Sequence, residues 1–324
     1  MTRSDRSGEG ISGPIRYVYT YASHEDESEL CELELSTLFG CAVTGKNGIV
    51  ACRDEQPLDA DRSPFIKRRI DVMHQADELP QLMERLRGMD TAGDTFKVLY
   101  TEGDEPHAYE ARRAMERQIG ASIGGVADMR QPQRLYGLMR YGGQWLFGPC
   151  RDSEAVWLRH QRKPCNYSTA LPVRAARAIV NIAAGRLTEG KRLIDPCCGM
   201  GSVLIEALSM GVTIEGMDKN PLAVRGAREN LTHFGYPDVV RLGDMTERDG
   251  RYDAAIVDLP YNLCSVLTDE AQLSMLRAVR RMSDRAVIVA TADIGMQLEA
   301  AGMHVASGIL LRKGSFARHV SVVK

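Results

Sequence analysis

The chain has 324 residues, 44% hydrophobic and 26% charged, with a formal net charge of −2. This is the composition of a soluble globular protein, and the length fits one large domain plus a smaller one better than a single core. No apolar run approaches the roughly 18 residues a membrane helix needs, and no overall basic charge announces a nucleic-acid partner.

Residues 1–14 open with MTRSDRSGEGISG, which is polar, rich in Gly and Ser, and followed by no apolar stretch. They are expected to be a disordered lead-in rather than a secretory signal, which points to a cytoplasmic protein. Next comes an alternating aromatic strand, Tyr17 to Tyr21, and a helical stretch carrying Leu30, Leu33, Leu35, Leu38 and Phe39 that Gly40 stops. A second helix is predicted from about Glu78 to Arg87, a strand over Phe96–Tyr100, and a helix over Tyr109–Ile119 with Arg112, Arg113 and Arg117 outward. Arg134–Phe147 reads as a hairpin turning at Gly142-Gly143. Strands and helices mix without a regular period, so residues 15–148 are expected to form a small α+β domain.

Residues 149–166 have few periodic apolar positions and carry Arg151, Arg159, His160, Arg162 and Lys163; they are expected to be a linker. The texture then changes. A helix over Val173–Ala184 leads into strand, turn and helix alternating to about residue 300, the pattern of a parallel sheet covered on both faces. His304–Arg312 and Phe316–Val323 close the chain as an antiparallel hairpin. Residues 167–324 therefore form an α/β, Rossmann-like domain with a mainly parallel sheet. The eight cysteines include no CxxC pair, so no metal site is expected and the thiols read as small apolar side chains.

The most informative stretch is Asp195-Pro196-Cys197-Cys198-Gly199-Met200-Gly201-Ser202, a glycine-bearing turn between a short apolar strand and a helix. Glycine is needed where backbone approaches a ligand too closely for a side chain, and the helix N-terminus offers unpaired N–H groups to it. A dinucleotide site would want a third glycine where Leu204 stands, and no GK[ST] follows, which excludes a phosphate-binding P-loop. Downstream, Ile214–Asp218 is a strand ending in an acid that can accept both hydroxyls of a ribose. Val239–Leu242 leads to Gly243-Asp244, an acid suited to an adenine amino group. Together these features fit S-adenosylmethionine, a nucleoside without phosphates. The Asp-Pro-Cys-Cys-Gly-Met-Gly-Ser turn resembles the cofactor motif of class I methyltransferases that modify amino groups in RNA. Tyr167-Ser168-Thr169-Ala170-Leu171-Pro172 is similar to the segment preceding that motif in THUMP-containing tRNA guanine-N2 methyltransferases, where it helps hold the methionine end. The candidate cofactor residues are thus Tyr167, Thr169, Asp195, Pro196, Cys198, Gly199, Gly201, Asp218, Lys219, Asp244 and Met245.

Asp253–Val257 is an apolar strand running into Asp258-Leu259-Pro260-Tyr261-Asn262, which resembles the [DNS]-P-P-[YFW] motif of amino-directed nucleic-acid methyltransferases. An exocyclic purine amine is a poor nucleophile because its lone pair is delocalised. An acceptor on its N–H groups restores electron density and takes the proton as the C–N bond forms. Asp258 and the backbone carbonyl of Leu259 are the candidate acceptors, Pro260 stiffens the turn, and Tyr261 offers a stacking face for a flipped-out base. Leu259 replaces the first proline of the motif, a change compatible with a role for its carbonyl alone. The motif does not by itself separate guanine N2 from adenine N6 in DNA or another RNA, and a non-catalytic RNA-binding scaffold is the alternative of a different class.

In the first half, Phe96–Val98, the Arg-rich helix, Val126–Pro132 and the hairpin ending Trp145–Gly148 are similar to part of a THUMP domain, and residues 17–40 resemble the ferredoxin-like segment preceding one. The resemblance implies an α+β THUMP-like domain that recognises tRNA; some members of the family also act with a small activating protein partner. Candidate RNA contacts are Lys67, Arg68, Arg69, Arg112, Arg113, Arg159, Arg162, Lys163, Arg312, Lys313, Arg318 and His319, clusters that the net charge of −2 makes more notable.

Overall fold

A computed structural model describes residues 14–167, 170–260, 268–313 and 316–324, with Lys313 and Phe316 described by backbone alone. The expected lead-in falls almost wholly outside these residues. The chain divides into two compact units: one up to Thr20 with Ile49–Pro57 and Lys67–Asp152, the other Tyr21–Gly48, Leu58–Ile66 and Ser153–Lys324.

In chain order, the elements before residue 153 are β1 (Tyr17–Ala22), α1 (Ser28–Phe39), β2 (Asn47–Cys52), β3 (Ile66–Asp71), β4 (His74–Ala76), α2 (Leu79–Leu86), β5 (Phe96–Tyr100), α3 (Tyr109–Ala121), β6 (Arg134–Tyr141) and β7 (Gln144–Asp152). The strands order as β2-β1-β3-β7-β6-β5, with β4 also pairing β7. The predicted hairpin is β6–β7, with Tyr141 opposite Gln144 and both Gly142 and Gly143 at positive φ, as a two-residue turn of the right twist demands. Helix α3 crosses between the parallel strands β5 and β6, burying Met115 and Ile119 against Phe96, Val98 and Tyr136.

The second unit continues with α4 (Val173–Ala184), β8 (Arg192–Asp195), α5 (Ser202–Ser209), β9 (Thr213–Asp218), α6 (Pro221–His233), β10 (Val240–Leu242), β11 (Ala254–Asp258), α7 (Asp269–Met282), β12 (Ala286–Ala290), α8 (Gly295–Ala300), β13 (Val305–Lys313) and β14 (Phe316–Val323). Its sheet runs β10-β9-β8-β11-β12-β14-β13. The first five strands are parallel and β14 is antiparallel to both neighbours, the mainly parallel sheet with a terminal hairpin that the alternation predicted. Strands β8, β11 and β12 are almost wholly buried, which explains their continuous apolar runs. The strand order reverses between β8 and β11, and the carboxyl ends of strands at such a switch open onto a crevice.

Two features differ from the sequence-based expectation. Helix α1, taken as part of the first domain, belongs to the second unit. It buries Leu30, Leu35 and Leu38, and with them Glu34, whose carboxylate accepts from Ser63 Oγ (2.5 Å) and Asn181 Nδ2 (2.6 Å). Residues 149–166 are not an open linker either: β7 runs to Asp152, and the 3₁₀ helix Val156–Arg162 buries Trp157 and His160.

The same unit holds a buried ionic network. Arg177 of α4 donates to Glu206 Oε2 (2.7 Å), Ser209 Oγ (2.8 Å) and the carbonyls of Asp61 and Arg62. Glu206 also bonds His160 Nδ1 (2.6 Å), so its second oxygen is satisfied. Buried charges persist when paired and fully hydrogen-bonded, and here they tie segment 58–66 to α4 and α5.

Candidate active site

The crevice at the carboxyl ends of the strands is a cavity of about 420 Å³, and four aspartates reach it from four consecutive parallel strands of the sheet. Asp195 ends β8, Asp218 ends β9, Asp244 follows β10 and Asp258 ends β11. Each strand stops there because the next residues are turn formers: Pro196, Lys219-Asn220 before Pro221, Gly243, and Leu259-Pro260.

The glycine turn is held by a backbone bond to β9 and by one within itself. Cys198 N–H donates to the Met217 carbonyl (2.9 Å) and Gly201 N–H to the Cys198 carbonyl (2.8 Å). Gly199 and Gly201 lie at φ of 52° and 80°, a conformation side chains resist, and Gly201 caps α5. Both oxygens of Asp218 are clamped, Oδ2 by Gly199 N–H (2.9 Å) and Oδ1 by Asn220 N–H (2.8 Å). The remaining lone pairs are thereby aimed rather than free to rotate, as recognition of a diol needs. Asp244 Oδ1 accepts from the amide (2.8 Å) and hydroxyl (2.7 Å) of Thr246, which hold its carboxyl below the usual range and so ionised at neutral pH.

Asp195 is buried and accepts from Cys197 N–H (3.2 Å). Burial pushes its carboxyl well above the usual range; the Cys197 bond opposes this, and the charges of Asp258 and Asp218 add to it. Four acids sharing a partly buried cavity call for a cationic ligand. A nucleoside carrying an ammonium and a sulfonium meets that demand, whereas a phosphate-bearing ligand would worsen the repulsion. The site therefore fits S-adenosylmethionine.

At the fourth strand, Leu259 is buried and its N–H donates to the Val289 carbonyl (2.9 Å), fixing the turn after Asp258, while Pro260 is exposed at the rim. Tyr261 and Thr169 lie outside the described residues. Tyr167, Pro196, Cys198, Gly199, Lys219 and Met245 all line the cavity; Gly201 lies just behind it, capping the helix. Sequence reasoning missed Ser202 and Val203 at the start of α5, Asn220, and Ala271, Ser274 and Met275 of α7. Ser202 and Asn220 adjoin recognised motifs, but only tertiary packing brings α7 to the cavity.

The basic clusters divide. Arg69 is buried and pairs with Asp71 (2.6 Å), Arg318 is buried, and Lys163 is buried with its ammonium on Ser202 Oγ, so these three do not offer their charge to a polyanion. Arg318 follows the pleat of β14, where Val320 and Val322 are also buried, whereas Arg69 lies on the face of β3 opposite buried Ile66 and Ile70. Arg68 is forked onto Asp152, Arg112 pairs with Glu102 and Arg113 with Glu116, which spends much of their charge. Lys67, Arg159, Arg162 and Arg312 are exposed and His319 half-buried; the side chain of Lys313 is outside the described residues. No cluster of metal-ligating side chains and no helix long and apolar enough to cross a membrane occurs among the described residues.

The chain shares sequence and fold with known methyltransferases. Residues 159–296 match the family described as RMKL-like, methyltransferase domain (UPF0020). The chain is 28% identical over 246 residues to the tRNA (guanine(10)-N2)-dimethyltransferase of Methanothermobacter thermautotrophicus, covering 68% of this chain and 70% of that protein. It is 35% identical over 138 residues to the enzyme of the same name from Pyrococcus abyssi, covering 41% of each. Among solved structures, TrmN from Thermus thermophilus aligns with a TM-score of 0.49 at 16% identity, over 95% of this chain and 99% of that one.

Proposed function

We propose that this chain, which carries an RMKL-like methyltransferase domain at residues 159–296, transfers a methyl group from S-adenosylmethionine to the exocyclic N2 amine of a guanosine in tRNA. The observation that carries the reading is the convergence of Asp195, Asp218, Asp244 and Asp258 on one cavity at the strand ends. The base and the RNA come from the relatives, two of which are named tRNA (guanine(10)-N2)-dimethyltransferases.

When bound, the cofactor supplies a methyl group on a sulfonium centre. The chain's own residues do the rest. Asp218 and Asp244 hold the nucleoside, so the methyl is presented from a fixed direction and little ordering entropy remains to be lost. Asp258 and the Leu259 carbonyl accept the two N–H groups of the amine, which orients its lone pair and gives the departing proton an acceptor. The Leu259–Val289 backbone bond and Pro260 keep these acceptors in place without reorganisation. Tyr261 follows directly in sequence and provides the stacking face. Solvent-facing Lys67, Arg159, Arg162 and Arg312 are the basic residues best suited to phosphate contact. The first unit, with its β5–α3–β6–β7 segment, is assigned to tRNA recognition.

Incubation of unmodified tRNA with the protein and methyl-labelled cofactor, followed by nucleoside digestion, tests this. Label in N2-methylguanosine or N2,N2-dimethylguanosine is expected; label in N6-methyladenosine, or in DNA alone, overturns it.

A further inference from the structure

Lys163 was set among the RNA contacts by its charge, yet it is only 6% exposed and its ammonium donates to Ser202 Oγ. Ser202 is the first residue of α5 and lines the cofactor cavity. A hydroxyl that accepts from an ammonium keeps its own proton available to donate, and Ser202 lines the cavity at the start of α5, where the first N–H groups of a helix lack intrahelical partners. Among the described residues no carboxylate bonds Lys163 directly; Glu206, one turn further along α5, is committed to Arg177 and His160. Burial lowers the pKa of Lys163, with the Glu206 charge opposing that fall, so an anion in the cavity would complete its pairing.

We propose that Lys163 is a positioning residue that acts through Ser202 to hold the carboxylate of the cofactor's amino-acid moiety. The proposal rests on the reading of the cavity as an S-adenosylmethionine site. It divides the zwitterionic end of the ligand between two opposed groups: buried Asp195 faces the ammonium, while Lys163, Ser202 and the start of α5 face the carboxylate. That arrangement also explains why a lysine is buried behind a helix start that already carries a partial positive charge. The developing excess is stored for a ligand anion.

The test compares two nucleosides that share adenosine and the thioether but differ at this end. S-adenosylhomocysteine keeps the amino-acid carboxylate, and 5′-methylthioadenosine lacks it. Calorimetry on Lys163→Met and, as a milder change, Ser202→Ala should show S-adenosylhomocysteine affinity falling about 10- to 100-fold, with 5′-methylthioadenosine changing less than about twofold. Should Lys163→Met not fold, Ser202→Ala makes the same comparison alone. Equal losses for both ligands, or an unchanged affinity for S-adenosylhomocysteine, overturn the proposal. A wild-type protein that binds neither nucleoside removes the cofactor reading itself, and this assignment with it.

Discussion

Leu204 of α5 fills the space above the bare α-carbon of Gly216 on β9, where a Cβ would lie 2.5 Å from Leu204 Cδ1 and 3.3 Å from Cys198 Sγ. Dinucleotide sites bring helix and strand together by a glycine on the helix. Here the glycine sits on the strand and the large residue on the helix. Gly216→Ala should cost about 1–3 kcal/mol by overpacking and weaken cofactor binding through the displaced Cys198 turn. Thermal melts and titration with S-adenosylhomocysteine measure both. In a double-mutant cycle with Leu204→Val the losses should be less than additive, because the smaller side chain relieves the clash.

Asp258→Ala should reduce methyl transfer by about 10²-fold or more while leaving cofactor affinity within about twofold, since the acid acts on the amine in the transition state. Unchanged turnover in this variant would remove the proposed role.

Asp218→Ala acts on the other side of the reaction. It deletes the acceptor for the ribose and leaves the Gly199 and Asn220 N–H groups without their partner. The cofactor KM should rise by about 10-fold or more, and kcat at saturating cofactor should change less.

Glu34 gives a pH signature. Burial raises its carboxyl from 4.5 to about 7, against the opposing bonds from Ser63 and Asn181. A carboxyl whose folded pKa lies above its unfolded value stabilises the fold fully below the unfolded pKa, and that contribution is lost as pH rises through about 7. Stability should therefore fall between about pH 4.5 and pH 7 in the wild type. Glu34→Gln, which keeps the hydrogen-bonding shape without the charge, should flatten that slope in denaturant titrations; an unchanged slope would contradict the assignment.

Arg177→Met should destabilise the protein by about 3–5 kcal/mol, because it removes the cationic partner of buried Glu206 and leaves the Asp61 carbonyl without its donor. Urea unfolding reads this loss directly.

These relationships mark where the sequence was informative. The strand–turn–helix at Asp195–Ser202 is a local pattern, so its place at a strand end followed from residue types alone, though the turn glycines were read for close backbone approach and the structure shows them at positive φ; helix α4 and the Gly142-Gly143 turn are also local. Basic residues were harder to place. Arg69, Lys163 and Arg318 were read as solvent-facing because their side chains usually are; the pleat of β14 sends Arg318 inward, Lys163 meets Ser202 of α5, and Arg69 is buried on β3 paired with Asp71. The membership of α1 in the second unit depends on Glu34 meeting Asn181, 147 residues away, and no window of sequence contains that pair. The same holds for Ser274 and Met275 of α7, which reach the cavity from beyond the catalytic turn.

Nucleoside mass spectrometry of tRNA from cells lacking this protein, complemented with wild type or with Asp258→Ala, bears most directly on guanine-N2 methylation by the Asp258 turn. Loss of N2-methylguanosine or N2,N2-dimethylguanosine, restored by wild type and not by Asp258→Ala, is the predicted result. An unchanged guanosine profile, or loss of N6-methyladenosine instead, would contradict it.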